Sequence, residues 1–535
     1  MKPLLQIIVR CFLLPCALML PVSLWADSTG AIPLKSKSGF YWQQQKQKMK
    51  AGAPGFQNVT VHDPSVVRAG DSYYVFGSHL AAAKTEDLLN WTLVADGVTA
   101  GNPLFNNVVV ELADMFAWSS VTGLWANEVI QLQDGRFYMY PNLSRLDSPR
   151  ASMGLAIADQ VEGPYVYQGI FLQSGMWDEI SEDGVNIYDA TLHPNAVDPD
   201  AFFDEQGNLW LMYGSYSGGI FILKLDPDTG LPLPDQGYGK HLMGGNHSRI
   251  EGPYVIFSPD SGYYYMFVTF GGLDAVGGYN MRVARSLNPD GPYLDALGND
   301  MADVKANPNL PIFDDASIEP FAQKLMGNFY FSRESGEPGT SAGMGYVSPG
   351  HNSAFYDRES GKYFLIFHTR FPSQGEFHQV RVHEMFINED GWPVVAPHRY
   401  VPYTFVPYKD LPYIGKAYPY YMDNCPHKAY CWNLETISAE EATGDYKFIN
   451  HGKAITAAIQ YSELISLNEN GGITGAQTGN WQRTYGNRIT INLDGHGQFK
   501  GVMSRGWNEI SQQFVVTFSA QSVEGVSIWG SHVAR

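Results

Sequence analysis

Three acidic residues, far apart in the sequence, each stand at the start of a short strand-like run: Asp63, Asp198 and Glu251. Carboxyl groups gathered in one cleft repel each other and shift each other's pKa, so one can act as a general base and another as a general acid. The structural alternative is a turn, because Asp before Pro and Glu before Gly-Pro often form one. Asp200 is a rival to Asp198, since only Pro199 separates the two.

A repeated pattern must position these residues. Each copy has a polar residue before a short strand, then a turn containing Gly, then an aromatic-rich strand, and the copies begin at Asp63, Glu128, Asp198, Glu251 and His351. Radial repetition of a sheet unit buries sheet edges, so the sequence predicts an all-β protein with a five-bladed β-propeller. Because the innermost strand of each blade lines the central axis, these five residues are expected to converge there.

The chain of 535 residues is too long for one ordinary domain. Beyond the propeller, alternating apolar and polar residues predict a smaller C-terminal β-barrel or sandwich domain. We predict long loops at 173–194 and 300–350, and we expect them to shape the cleft. The predicted segments are a signal peptide at 1–26, a leader at 27–58, the propeller at 59–410 and the C-terminal β module at 430–535.

The N-terminus predicts export. Lys2 and Arg10 precede an apolar run that ends near Ala26, which is typical of a cleaved secretory signal. We therefore expect a secreted or periplasmic protein. A lipoprotein attached at Cys16 is the alternative, and Pro15 immediately before it is a poor fit to that pattern.

The cysteines agree with export. Outside the predicted signal the sequence contains Cys425 and Cys431, whose closeness favours a local disulfide in an oxidising compartment. A zinc site that includes His427 is the alternative, but two thiols and one His at this spacing match no usual zinc pattern.

The charge of the chain restricts its partners. The formal net charge is −19 and no cluster of Lys or Arg occurs, so nucleic acid and anionic membranes would be repelled. The N-terminal apolar run is short and contains Pro, which argues against a membrane span. We expect a monomer that acts on a neutral substrate.

Three motifs resemble the catalytic signatures of glycoside hydrolase family 43: His62-Asp63-Pro64, Val197-Asp198-Pro199 and Glu251-Gly252-Pro253-Tyr254. Further stretches resemble the endo-α-1,5-L-arabinanases of that family that carry a C-terminal β domain. These stretches are residues 237–240 with 244–247, 279–286 with 291–293, 349–353 and 367–370. The resemblance covers roughly residues 58–400. At Trp125-Ala126-Asn127-Glu128 the chain departs from the family's usual Trp-Ala-Pro-Asp.

The resemblance implies an inverting hydrolase that cleaves internal bonds of α-1,5-linked arabinan, as found in pectin side chains. Asp63 would be the general base, Glu251 the general acid, and Asp198 would raise the pKa of Glu251 and orient it. Two alternatives share the fold: an exo-acting α-L-arabinofuranosidase or β-xylosidase, and a non-catalytic propeller that binds arabino-oligosaccharides or other sugars.

The resemblance also implies that His351 is the single protein ligand of a central ion, calcium, which water otherwise holds. Calcium prefers oxygen ligands, so a hydrogen-bonded core histidine is the alternative.

Two of the predicted substrate-binding residues have a structural alternative, which is core packing for Trp118 and a turn for Ser215. The predicted substrate-binding residues are Phe116, Trp118, Trp125, Asn195 and Ser215.

Overall fold

The computed structural model describes residues 54–403 and 436–534. The predicted signal peptide, most of the leader and the pair Cys425 and Cys431 lie outside the described residues. The helices are short: Val108–Glu111, Ala113–Ser119 and Ala439–Ala442 are α-helical, and Ser78–Leu80, Met301–Asp303 and Tyr485–Asn487 are 3₁₀-helical. No helix in the described ranges is long and apolar enough to cross a membrane.

Four consecutive four-stranded antiparallel sheets form the first four blades of a propeller. Blade one contains β1 to β4, at Ser65–Ala69, Ser72–Phe76, Ala82–Thr85 and Thr92–Ala95. Blade two contains β5 to β8, at Trp125–Gln131, Phe137–Ser144, Ala151–Ala158 and Val166–Gln173. Blade three contains β9 to β12, at Asp200–Phe203, Leu209–Tyr213, Ile220–Leu225 and Lys240–Met243. Blade four contains β13 to β16, at Ile250–Phe257, Tyr264–Phe270, Asn280–Ser286 and Gln323–Met326.

Blade five lies in a six-stranded sheet, in the order β21-β20-β19-β18-β17-β23. These strands are β17 at Phe329–Ser332, β18 at Gly343–Asp357, β19 at Lys362–Arg370, β20 at His378–Ile387, β21 at Pro393–Val395 and β23 at Gln460–Tyr461. The predicted irregular connection at 300–350 therefore contains β16, β17 and the start of β18. With five blades in place, the predicted propeller is confirmed.

The turns between strands are built locally. In blade three the turn after β9 is closed by Asp204, whose carboxylate accepts hydrogen bonds from the backbone N–H groups of Gln206 and Asn208 at 3.0 and 2.8 Å. Gly207 supplies the left-handed position at φ 81° that the turn requires. The strand that follows, Leu209–Tyr213, is apolar on both faces because each blade packs between two others.

Buried apolar side chains fill the interfaces between neighbouring blades. Cluster members that pack there include Met139 between blades one and two, Leu211 between two and three, Met266 between three and four, Phe267 between four and five, and Ile366 between five and one. At about 25 cal/mol for each Å² of apolar surface removed from water, this burial is the main source of stability.

A short N-terminal segment closes the ring. The Gln57 N–H donates to Leu89 O and the Trp91 N–H donates to Gln57 O, at 3.3 and 2.9 Å, on blade one. Two residues further on, the Val380 N–H of blade five donates to Val59 O at 3.0 Å. Each blade is made of consecutive strands, so blades one and five come from opposite ends of the propeller sequence. The N-terminal segment contacts both blades and holds them together.

A closed barrel follows the propeller, with strands in the order β22-β24-β25-β26-β27-β28-β29-β30. They are β22 at Gly444–Asn450, β24 at Glu463–Leu467, β25 at Gly472–Gly475, β26 at Gly479–Arg483, β27 at Arg488–Leu493, β28 at Gly497–Asn508, β29 at Gln513–Ser522 and β30 at Ser527–His532. Of the two forms predicted for the C-terminal domain, a barrel or a sandwich, the structure shows the barrel.

The barrel is joined to blade five. β23 pairs in parallel with β17, and the Trp529 ring of the barrel lies 5.1 Å from the Phe329 ring of the propeller. Lys447 Nζ lies 2.7 Å from Glu337 Oε1, and both side chains are fully buried. Removing one partner of such a pair costs about 3–5 kcal/mol, because it leaves a buried charge unpaired.

Candidate active site

The inner strands of the blades meet at a cavity of about 780 Å³. Asp63, Asp198, Glu251 and His351 all line it, as the repeat predicted. The three carboxyl groups are 6–8% exposed, so the cavity holds them largely out of water. Residues that are far apart in the chain therefore share one site.

Unusual backbone geometry turns these side chains into the cavity. Asp63, Asp198 and His351 have φ values of 55°, 56° and 44°, in the left-handed region that side chains other than glycine rarely adopt. Gly252, next to Glu251, has φ 59°, and a Cβ there would lie 2.9 Å from the His351 ring. For residues other than glycine such positions cost about 1–3 kcal/mol each, and they concentrate at functional sites.

Asp63 is held as a carboxylate. The Ser78 hydroxyl donates to Oδ2 at 2.5 Å, and the Nδ1 atoms of His62 and His351 lie 2.8 and 3.1 Å from Oδ1. Burial alone would raise the pKa of Asp63, but the charges and hydrogen bonds of His351 and His62 bring it well below its usual range. Asp63 is therefore ionised at neutral pH.

Glu251 is oriented by two hydroxyl groups. The Ser215 hydroxyl donates to Oε2 at 2.8 Å and the Tyr279 hydroxyl donates to Oε1 at 2.5 Å. Ser215 lies in the turn after β10 and Tyr279 immediately before β15, so two separate segments fix the direction of this side chain.

Asp198 lies behind Glu251. Its Oδ2 accepts a hydrogen bond from the Gly252 N–H at 3.3 Å, which ties it to the backbone beside Glu251. Burial, together with the charges of Glu251 and Asp63, raises the pKa of Asp198 to about 7, although His351 acts in the opposite direction. The site thus combines an ionised carboxylate at Asp63 with a carboxyl group at Asp198 that keeps its proton to near neutral pH.

The predicted substrate-binding residues divide into two groups. Trp125, Asn195 and Ser215 line the cavity. Phe116 and Trp118 do not: Phe116 is buried between blades one and two, and the Trp118 indole N–H donates to Ala151 O at 2.9 Å within the propeller. Core packing, the alternative for Trp118, describes both residues in this structure.

Glu128 contacts the inner strands of blades one and three, as expected of a residue near the axis, but it does not line the cavity. Glu128 follows the register shift of β5, as Tyr254 follows the equivalent shift of β13. Trp125 and Glu251 precede these shifts and line the cavity. Glu128 therefore lies deeper in the propeller. There it accepts a hydrogen bond from the Ser65 hydroxyl, and burial together with the charge of Asp200 raises its pKa well above the usual range. Asp200 is buried at this deeper level too, where its Oδ2 accepts from the Val255 N–H at 2.7 Å.

Three histidines near Asp63 were not assigned from the sequence. The His62 ring stacks on the His368 ring at 3.8 Å and meets the His378 ring edge-on at 5.0 Å. His368 Nδ1 accepts a hydrogen bond from the Asp63 N–H at 3.1 Å, so the stack fixes the backbone of Asp63. The motif at residues 367–370 was the available signal, but its contact with Asp63 joins positions 305 residues apart.

The residues around His351 fit a calcium ion in charge and donor type. The side chains of Asp63, Asp198 and Glu251 make the site acidic. They also supply oxygen atoms, which are the ligand type that calcium prefers. Burial works to lower the pKa of His351, but Asp63 and Asp198 raise it to about 10. A bound cation would take over the role of that proton, because both neutralise the same carboxylates. His62, Asp63 and His368 also bring ligand atoms within 4.8 Å of one another.

A propeller that holds an ionised and a protonated carboxyl group in one open cavity has the equipment of a glycoside hydrolase. Residues 56–316 match Glycosyl hydrolases family 43, and residues 426–530 match a C-terminal lipocalin-like domain. The chain is 51% identical to extracellular endo-α-(1→5)-L-arabinanase 2 of Bacillus subtilis (strain 168), over 90% of this chain and 94% of that protein.

Solved structures agree with this match. A family 43 glycoside hydrolase from Bacillus licheniformis superposes with a TM-score of 0.81 and 53% identity, over 90% of this chain and all of that one. An endo-1,5-α-L-arabinanase from Thermotoga petrophila superposes with a TM-score of 0.80 and 45% identity, over the same shares. The chain belongs to glycosyl hydrolase family 43 and is a glycosidase. The extracellular relatives agree with the predicted export.

Proposed function

We propose that this protein is a secreted, inverting endo-arabinanase that hydrolyses internal α-1,5-L-arabinofuranosidic bonds of arabinan. The observation that carries the proposal is the meeting, in one cavity, of ionised Asp63, of Asp198 with its pKa raised to about 7, and of Glu251 oriented by two hydroxyl groups. The arabinanase relatives supply the substrate class.

In the proposed reaction Asp63 accepts a proton from a water molecule as that water attacks the anomeric carbon. Glu251 donates a proton to the glycosidic oxygen as the bond from the anomeric carbon to that oxygen breaks. Attack from the face opposite the leaving group inverts the anomeric configuration, and the two carboxyl groups need about 6.5–9.5 Å between them to admit the water. Ser215 and Tyr279 keep Glu251 directed at the leaving oxygen.

The products of linear arabinan test the proposal. An endo-acting enzyme releases a pool of oligosaccharides early and monomer late, whereas an exo-acting enzyme releases one short product from the start. We expect the pool, sized by chromatography over time, and we expect the β anomer by NMR in the first minutes. Release of arabinose alone would support the exo-acting alternative, and an excess of the α anomer in the first minutes, before mutarotation, would contradict inversion.

The Asp198→Asn variant is expected to move the high-pH limb of kcat to lower pH. The Asp198 carboxylate lies beside Glu251, and removing its negative charge makes the proton of the acid easier to lose. In the wild type this negative charge develops as pH rises through about 7, so it opposes loss of the acid's proton and the high-pH limb should lie above pH 7. In the variant this limb should lie roughly one pH unit lower.

Asp228→Asn is the matched control, since Asp228 is an exposed carboxylate on the same blade. Its pH profile of kcat should superpose on that of the wild type. A high-pH limb that stays in place in Asp198→Asn would show that Asp198 does not act on the acid through its charge.

We also propose that His351 is the protein ligand of a calcium ion held otherwise by water. When bound, the ion would supply positive charge to the carboxylate cluster. Calcium at 100 times its Kd adds about 2.7 kcal/mol to the free energy of unfolding, so it should raise the melting temperature of the EDTA-treated wild type by a few degrees. His351→Gln should lose this rise, and an equal rise in both proteins would place the ion elsewhere.

A further inference from the structure

A second cavity, of about 680 Å³, lies beside the active-site cavity. The two share Asp147, Ser148, Pro149 and His247 in their walls. A chain molecule that leaves the first cavity over residues 147–149 therefore enters the second. The far wall of the second cavity belongs to the loop after β8, which the sequence singled out as a rim of the cleft, and includes Trp177, Ile187 and Tyr188.

This loop has a fixed shape. Ile180 and Ile187 form an antiparallel bridge, and the Ser181 N–H donates to Asn186 O at 2.8 Å. The Asp183 carboxylate closes the tip by accepting from the backbone N–H groups of Val185 and Asn186, both at 2.8 Å. The wall is consequently formed before any ligand arrives, which lowers the entropy cost of binding.

An exposed indole faces this cavity. Trp177 is 45% exposed, and its ring is set edge-on against the Tyr188 ring at 5.3 Å. Tyr188 is in turn fixed from below, because its ring lies 5.5 Å from His193 and its hydroxyl donates to Pro194 O at 3.1 Å. Ile187 adds a second apolar surface and is 58% exposed. A supported aromatic ring that stays open to solvent within a concave site is a platform for a ligand.

The polar part of the wall indicates a neutral, hydroxyl-rich ligand. Asp147 is paired with Arg145 at 2.7 and 2.6 Å, and Asp189 accepts from the Thr191 hydroxyl at 2.7 Å, so both carboxylates are held in place as acceptors. Burial lowers the pKa of His247, which leaves it neutral at pH 7. An anionic ligand would be repelled by this wall, whereas sugar hydroxyls can donate to it.

We propose that the second cavity is a distal subsite for arabinosyl units of the same arabinan chain that is cleaved in the first, with Trp177 as the stacking platform. This inference rests on the proposed function. Long substrates occupy both cavities and short ones only the first, so the subsite raises affinity for long chains without taking part in the chemistry.

Trp177→Ala tests the subsite with α-1,5-arabino-oligosaccharides of increasing length. Loss of an aromatic stacking contact of about 1.4 kcal/mol corresponds to a tenfold change in affinity. We expect KM for the longest oligosaccharides and for linear arabinan to rise about tenfold, with kcat unchanged and with both constants unchanged for the trisaccharide. Trp177→Phe keeps an aromatic ring, so its KM for the longest substrates should stay close to that of the wild type.

Tyr485→Ala is the control, because Tyr485 is an aromatic residue of the barrel that is 83% exposed. It should leave KM unchanged at every length. A KM in Trp177→Ala that matches the wild type at every length, or that rises equally for the trisaccharide and the longest substrate, would overturn the distal subsite while arabinan cleavage by the wild type still stands. A wild type that fails to cleave arabinan would instead overturn the proposed function.

Discussion

The Glu251→Gln variant is expected to cleave linear arabinan about 10³-fold more slowly than the wild type, with KM nearly unchanged. The amide keeps the shape of the side chain and can still accept a hydrogen bond from Ser215 or Tyr279, but it cannot donate a proton to the leaving oxygen. Initial rates from reducing-end release, measured across substrate concentrations, give kcat and KM separately.

The loss should depend on the leaving group. A 2,4-dinitrophenyl α-arabino-oligosaccharide expels a phenolate that needs little protonation, so Glu251→Gln should cleave it at a rate close to that of the wild type. Equal losses on arabinan and on this activated substrate would show that Glu251 acts in some way other than as the acid. A melting temperature within a few degrees of the wild type confirms that the fold is intact.

The Asp63→Ala variant is expected to lose roughly 10³–10⁴-fold in kcat on both substrates, because base assistance to water is needed whatever the leaving group. The vacated space should admit azide, which attacks the anomeric carbon without needing a base. Azide should therefore restore cleavage of the activated substrate and yield the β-arabinosyl azide, identified by NMR.

Two outcomes would contradict the assignment of Asp63. One is an α-arabinosyl azide, which requires a covalent intermediate and a retaining course. The other is a loss confined to arabinan. Asp159→Asn is the control for removal of a carboxylate, because Asp159 is exposed on blade two, away from the cavity. Its kcat should stay within about twofold of the wild type.

The sequence predicted the features that repeat. Short apolar runs and Gly turns recur with every blade. This repetition predicted strands such as Leu209–Tyr213 and the polar residues that precede the inner strands. Because equivalent positions converge on the axis, the sequence predicted that Asp63, Asp198 and Glu251 lie in one site. The family resemblance then supplied the roles that carboxylates alone do not specify.

Features that depend on local irregularity or distant contact were not predictable. Glu128 follows a register shift in β5 whereas Glu251 precedes the equivalent shift in β13, and the hydrophobic pattern does not encode this difference. Phe116 and Trp118 lie on a short helix whose inward face cannot be told from its outward face without its neighbours. The pairing of β17 with β23 joins residues more than 100 positions apart, such as Phe329 and Gln460.

The buried contact between Glu337 and Lys447 has a consequence for how the chain matures. The two residues are 110 positions apart, and Glu337 precedes most of blade five. Because synthesis proceeds from the N-terminus, Glu337 is made before Lys447, the only Lys or Arg that pairs with its carboxylate within the described residues. The Glu337 carboxylate therefore stays hydrated until β22, which carries Lys447, has been made. The propeller reaches its final packing at this contact only after the first strand of the barrel has joined it.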